Sequence, residues 1–219
     1  MKKINIAIDG PSGAGKSTIS DILASKLGYI HLDTGAMYRT VAYMGLKAGL
    51  KMDDEENVVK LIDTLSFKQT EDGKIICNGV DISKEIRQNE ISMAASDVSK
   101  LLGVRKALVA LQQKIAEDKG YIVDGRDICE VVLPTAEVKI FMIASAEERA
   151  KRRVLQNKEK GIEANYDDIL ADIQKRDYQD SHRENSPLRK TEDATEIDSS
   201  NLTIEETVEK IMEIVKTKL

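Results

Sequence analysis

The stretch Ile4-Asn5-Ile6-Ala7-Ile8-Asp9-Gly10-Pro11-Ser12-Gly13-Ala14-Gly15-Lys16-Ser17-Thr18 restricts the fold of this chain more than any other. A short apolar run leads into Gly-x-x-x-x-Gly-Lys-Ser, and an amphipathic run from Ile19 to Leu27 follows at once. That order predicts a strand, a phosphate-binding loop and a helix. Glycines at these positions let backbone N–H groups turn inward around phosphate oxygens at the positive end of the helix. Lys16 would neutralise the outer phosphates, and the Ser17 hydroxyl would ligate Mg²⁺. The segment Gly10, Pro11, Ser12, Gly13, Ala14, Gly15, Lys16, Ser17 and Thr18 is therefore the expected nucleotide cradle.

The rest of the chain alternates strand and helix signals. Ile4 to Ile8 is nearly all apolar, as in a parallel strand covered on both faces. The helix after the loop should close at Gly28. Tyr29 to Leu32 reads as a second strand, ending in the turn Asp33-Thr34-Gly35-Ala36-Met37-Tyr38-Arg39 before a helix towards Gly49. Asp53 to Glu56 reads as a cap and first turn, with the helix continuing to about Leu65. Ser66 to about Ser99 changes character. Alternating apolar residues flank an Asp-Gly turn at Glu71-Asp72-Gly73 and a second turn at Asn78-Gly79, predicting a small antiparallel sheet. Helical pieces around Glu85 to Arg87 and Ile91 to Ser99 complete this inserted subdomain. A helix from Val104 to Lys119, a strand at Tyr121 to Val123 and another at Val138 to Ile143 follow. Basic helix Ala146 to Glu159, helix Tyr166 to Tyr178, strand Thr195 to Asp198 and helix Thr203 to Lys218 finish the chain. Thr203 and Glu206 have the spacing of a capping box. The fold class expected is α/β, a doubly wound parallel sheet core with one small inserted α+β subdomain.

Composition narrows the partners. With 219 residues the chain can bury one sizeable core. A net charge of −5 leaves no general attraction for polyanions, so any anion site must be a local arginine cluster. Absence of Trp and an aromatic content of 4% argue against stacking platforms for nucleic acid. Cys77 and Cys129 lie far apart, which excludes zinc-type spacing and fits a reducing cytoplasm. Met-Lys-Lys runs straight into a strand-like segment without the apolar core of a signal peptide, and no stretch reaches transmembrane length. The expected setting is thus cytoplasmic, with no membrane or nucleic-acid partner, and a monomer suffices.

In a doubly wound sheet, ligands sit beyond the carboxyl ends of the strands. Three expected strand ends carry polar clusters: the phosphate loop, Asp33 to Arg39, and Asp124-Gly125-Arg126-Asp127. Transfer of a phosphoryl group needs in-line positioning and positive charge on both sides of it. Arg39, Arg126, Arg176 and Arg183 could form the second set of guanidinium groups, for an acceptor carrying its own phosphate. Arg149, Arg152 and Arg153 read equally well as a solvated helix face. Asp9, Asp33 and Asp124 could organise the waters of a magnesium ion, although Asp9 reads better as a turn-stabilising residue. His31 and His182 read as structural or surface residues, and Cys129 as a packing residue.

Together, Ile8 to Ser17, Leu32 to Arg39, Asp124 to Asp127, and Arg176-Asp177 through Asp180-Ser181-x-Arg183 to Pro187-Leu188 resemble the bacterial cytidylate kinases. These are the (d)CMP kinases of the nucleoside monophosphate kinase group, and the similarity covers essentially the whole chain. The resemblance implies transfer of the γ-phosphoryl group of ATP to CMP or dCMP, assisted by Mg²⁺. It implies a core (1–65, 100–148 and 166–219), an acceptor-binding insert (66–99) and a helical lid (149–165). It implies that Thr34, Tyr38, Arg39, Arg126 and Arg183 hold the acceptor phosphate and its surroundings. Ser96, Arg105 and Asp127 would read the cytosine edge, and Arg176 and Asp180 would reach the acceptor sugar and phosphate. Lys16, Arg126, Arg176 and Arg183 would be catalytic, and Arg153 would join the ATP side. A carboxylate with a guanidinium does complement the amino donor and two acceptors of cytosine. One stretch departs from the resemblance. Ile128-Cys129-Glu130-Val131-Val132 stands where the family usually continues with an apolar residue, Gly, Thr and Val-Val, which adds bulk and a negative charge beside the expected acceptor pocket.

Two other readings stay open on sequence grounds: a loop kinase for a different acceptor, and a nucleotide-dependent switch or binding module. A guanine-specific switch should carry Asn-Lys-x-Asp. Asn157-Lys158-Glu159-Lys160, the nearest match, lacks the final Asp.

Overall fold

The computed structural model describes residues 3–70, 73–159, 161 and 163–219, with Asn89 described by its backbone only. Its centre is a five-stranded sheet of order β2-β6-β1-β7-β8, built from β1 (Ile6–Asp9), β2 (Ile30–Asp33), β6 (Tyr121–Gly125), β7 (Val138–Ile143) and β8 (Thr195–Asp198). Every pairing in it is parallel. A fully parallel sheet must be covered on both faces, which is why β1 is buried at every residue. Ile6 and Ile8 face one layer, with Ile19 and Leu23 of α1 (Lys16–Leu27) and Val208, Ile211 and Val215 of α8 (Ile204–Lys216). Ala7 and Val123 face the other, with Met37 and Val41 of α2 (Thr34–Lys47), Val58 of α3 (Glu55–Ile62) and Leu108 of α5 (Leu102–Ile115).

Local signals fix the element ends. Gly28 stops α1 in a left-handed conformation, its N–H donating to the Ala24 carbonyl. Asp33 caps α2 by accepting from Ala36 N, so the helix starts directly at Thr34 and the expected intervening turn is its first turn. Asp54 caps α3, and the Thr203–Glu206 capping box opens α8 as its spacing predicts. Strands β7 and β8 and helix α6 (Ala146–Glu159) have the bounds expected of them, whereas α7 runs on from Tyr166 to His182.

A second, three-stranded antiparallel sheet holds β3 (Phe67–Gln69), β4 (Ile75–Cys77) and β5 (Val80–Asp81). Asn78 and Gly79 both have positive φ, 48° and 79°, the geometry of a two-residue hairpin turn. The turn expected at Glu71-Asp72-Gly73 falls partly on residues 71 and 72, outside the described residues. A 3₁₀ turn at Glu85–Arg87 and α4 (Asn89–Val98) follow, and Ile86, Ile91, Ala94 and Val98 join the same core as α2 and α5. Gln69 Oε1 accepts from Asp33 N at 2.9 Å, linking the small sheet to the start of α2.

Candidate active site

The register brings the polar strand ends to one edge. Asp9 pairs with Gly125, and Asp33 with Asp124, so β1, β2 and β6 release their chains side by side. The phosphate loop leaves β1 at Gly10, whose φ of 152° and close approach to the Met142 carbonyl leave no room for a side chain. It enters α1 through Gly15, left-handed at φ 93°, and no side chain caps this helix. The first N–H groups of a twelve-residue helix therefore point at the loop without a protein partner supplied by the cap.

Lys16 is folded into this loop. Its Nζ donates to the carbonyls of Gly10 at 2.7 Å and Pro11 at 2.8 Å, and the residue is buried. Burial, with the charge of Arg126 adding to it, pulls its pKa down to about 7. Ser17 Oγ donates to Asp124 Oδ2 at 3.1 Å, and Thr18 lies exposed on the first turn. Thr34 Oγ1 donates to the Asp124 carbonyl at 2.8 Å, which locks the start of α2 to the end of β6.

Opposite the loop the arginines converge. Arg39 Nη2 donates to Asp33 Oδ2 at 2.9 Å, while its buried Nε has no partner among the described residues. Arg126 Nε donates to Asp180 Oδ2 of α7 at 2.7 Å. Arg176, one turn earlier on α7, has its pKa lowered by burial and by the like charges of Arg126, Arg39 and Arg153. Such mutual repulsion marks a cluster that an anion would relieve. Arg105 of α5 forms a buried ion pair with Asp127, and Arg183 Nη2 stands 3.8 Å from the other Asp127 oxygen. Tyr38 senses the charges of Arg105, Asp127 and Arg183, and burial raises its pKa. Seven of the expected site residues thus fall into two neighbouring groups, Arg126–Asp180–Arg176 and Arg105–Asp127–Arg183–Tyr38. Ser96 is half-buried on α4, and no hydrogen bond of the described residues ties it to either group. Arg153 is exposed on α6.

Several expectations need correction. Arg149 is not a solvated face residue: it is 4% exposed, its Nε donates to the Ala144 carbonyl, and its Nη1 donates to the Ser12 carbonyl and to Asp177. Arg152 likewise donates to the Ser199 carbonyl at 2.6 Å. Both hold the root of α6 to the core. Asp9 is the turn-stabilising residue expected of it: its two oxygens accept from Ile128 N and Cys129 N at 2.8 Å each. Asp33 is occupied by Ala36 N and Arg39. His31 is buried between Asp21 and Asp124, a link for which the sequence has no spacing signal. Ile128–Val132 forms one π-helical turn. It buries Cys129 and turns Glu130 towards Arg189, which holds the Glu130 carboxyl below its usual range. The extra charge of this departure is therefore neutralised at the surface rather than left facing the arginines.

The oxygen pair Ser17 Oγ and Asp124 Oδ2 fits a hard ion that keeps much of its hydration. Among the described residues there is no cluster of three or more metal-binding side chains and no helix long and apolar enough to cross a membrane. An ion here would complete its shell from the nucleotide and water.

Comparisons with known proteins agree with this geometry. A gluconokinase structure from Sinorhizobium meliloti 1021 superposes with a TM-score of 0.51 at 14% identity, covering 99% of this chain and 94% of that one, which shows a shared fold. A cytidylate kinase of Caldicellulosiruptor saccharolyticus is 53% identical over 217 residues, 98% of this chain and 96% of that protein. The cytidylate kinase of Bacillus subtilis is 48% identical over 220 residues, 99% of this chain and 98% of that protein. The cytidylate kinase family model matches residues 6–217, and with relatives this similar over nearly their full length the chain belongs to the cytidylate kinase family.

Proposed function

We propose that this enzyme transfers the γ-phosphoryl group of ATP to CMP or dCMP, giving ADP and CDP or dCDP. The observation that carries the reading is the pair of groups facing the loop. One is an arginine cluster suited to an acceptor phosphate, and the other is the buried Arg105–Asp127 pair suited to a cytosine edge. A switch module has no use for the second set.

The backbone N–H groups of Gly13 to Ser17 hold the donor phosphates, and Lys16 leaves the Gly10 and Pro11 carbonyls to meet them. Ser17 and Asp124 would hold Mg²⁺ bound with ATP, which would supply charge neutralisation at the phosphate oxygens. Arg39, Arg126 and Arg183 orient the acceptor phosphate, and Thr34 and Tyr38 shape its pocket. Arg176 and Arg126 offset the negative charge that builds on the moving phosphoryl group. Asp180 holds Arg126 and accepts from a hydroxyl of the acceptor sugar. Ser96, Arg105 and Asp127 read the base. Arg105 holds one Asp127 oxygen, so a base lacking the cytosine amino group leaves only the other without a donor from the ligand, a mismatch that lowers affinity. Residues 66–99 form the acceptor part. Residues 149–165 serve as the lid, with Arg153 reaching ATP, and closure excludes water as a competing acceptor. Because Arg149 and Arg152 are anchored, bending belongs to the part of α6 beyond them.

The direct test is product identity. Incubation with ATP, Mg²⁺ and CMP, followed by ³¹P NMR, should show ADP and CDP appearing together. Loss of ATP with inorganic phosphate alone would overturn the reading.

A further inference from the structure

His31, the second residue of β2, sits buried between carboxylates from two other elements. Its Nδ1 lies 2.7 Å from Asp21 Oδ1 on α1, and its Nε2 lies 2.7 Å from Asp124 Oδ1 near the end of β6. Each ring nitrogen is thus within hydrogen-bond distance of a carboxylate oxygen, and the two contacts together hold the ring in one orientation. The second Asp124 oxygen is left facing Ser17 Oγ at 3.1 Å. A relay of Asp21, His31, Asp124 and Ser17 therefore runs from an exposed carboxylate on α1, 60% exposed, to the phosphate loop.

We propose that His31 is a positioning residue for the nucleotide site: it fixes the plane of the Asp124 carboxylate so that Oδ2 faces Ser17 and the metal-bearing triphosphate. The inference rests on the phosphotransfer reading and adds which side chain orients its carboxylate. The physical need is clear. The backbone of Asp124 is fixed by the Thr34 hydrogen bond to its carbonyl, but that leaves its carboxylate free to rotate. A buried donor at 2.7 Å takes one oxygen and removes that freedom. Asp21 in turn fixes the ring through its contact with Nδ1. Partners of this outer kind change metal affinity by about 10–100-fold.

The test is calorimetry of ATP binding to the full chain, with Mg²⁺ and separately with EDTA, and with no acceptor present. His31→Gln places an amide nitrogen where Nε2 stands, and His31→Asn places one where Nδ1 stands. We expect His31→Asn to weaken binding about tenfold in Mg²⁺ and by less than about twofold in EDTA. His31→Gln should return the Mg²⁺ value to within about threefold of the original chain. Equal loss in EDTA and Mg²⁺, or identical behaviour of the two variants, would show a merely structural role. If neither variant folds, Asp21→Ala decides on an exposed side chain: about a threefold loss confined to Mg²⁺ supports the relay, and no Mg²⁺-specific loss refutes it. Since no acceptor is used, ATP binding without CMP turnover would sink the cytidylate kinase reading and leave this result standing.

Discussion

Lys16 shows how burial and function meet in a single side chain. In the free protein its ammonium is held by two carbonyls, with its pKa pulled down to about 7 by burial and by Arg126. On the alkaline side of pH 7 a larger share of the chains should then carry it uncharged than for an ordinary lysine. ATP phosphates favour the charged form, so binding must raise that pKa, and by linkage it takes up protons between pH 7 and 9. Titration of ATP without Mg²⁺ in buffers of different ionisation enthalpy should report net proton uptake on the alkaline side of pH 7. Zero uptake or proton release there would contradict a lowered Lys16 pKa that ATP phosphates restore. The arginines separate the two halves of the site. Arg39→Ala and Arg126→Ala should each lower kcat/KM for the acceptor by about 10²–10³-fold, while the ATP dissociation constant moves by less than about threefold. Equal damage to both would place these arginines on the donor side. Asp127→Asn should cost about a hundredfold or more in kcat/KM for CMP, because the amide presents a donor where the cytosine amino group needs an acceptor. An unchanged CMP value in steady-state kinetics would remove Asp127 from base reading.

At the scale of elements, α6 and α7 connect the phosphate loop to the arginine cluster. Arg149 joins α6 to the Ser12 carbonyl in the loop and to Asp177 of α7, the helix whose Arg176 and Asp180 group with Arg126. A lysine cannot make this forked set of bonds. Arg149→Lys should therefore lower the free energy of unfolding by about 2 kcal/mol in urea denaturation; no change would mean that the contacts do not persist in solution. These elements also show what was legible in advance. Strands β7 and β8, helix α6 and the α8 capping box could be located because apolar periodicity and caps are local signals. The π-helical turn at Ile128–Val132 could not, since its apolar run reads equally as strand or loop until Asp9 supplies the acceptor for two of its N–H groups. The burial of Arg149 and His31 was hidden for the same reason. Their partners lie 137 residues away at Ser12 and 93 residues away at Asp124, and a basic or lone aromatic residue carries no mark of such a partner.

For the whole molecule, the parallel sheet is what makes the site possible. Three strands end together, one delivering the phosphate loop, one Arg39, and one Arg126 with Asp127, while the two core layers on either face hold them rigid. The elements beyond the sheet add Arg105 from α5 and Arg176 and Asp180 from α7. A phosphate loop is common to many activities, so the claim that this molecule is built for a cytosine nucleotide rests on the base-reading half. The most direct measurement is a panel of acceptors in a coupled assay of ADP release at fixed ATP and Mg²⁺. CMP and dCMP should be turned over, with AMP, GMP and shikimate lower in kcat/KM by about 10²-fold or more. A clear preference for any acceptor without a cytosine ring would contradict the account.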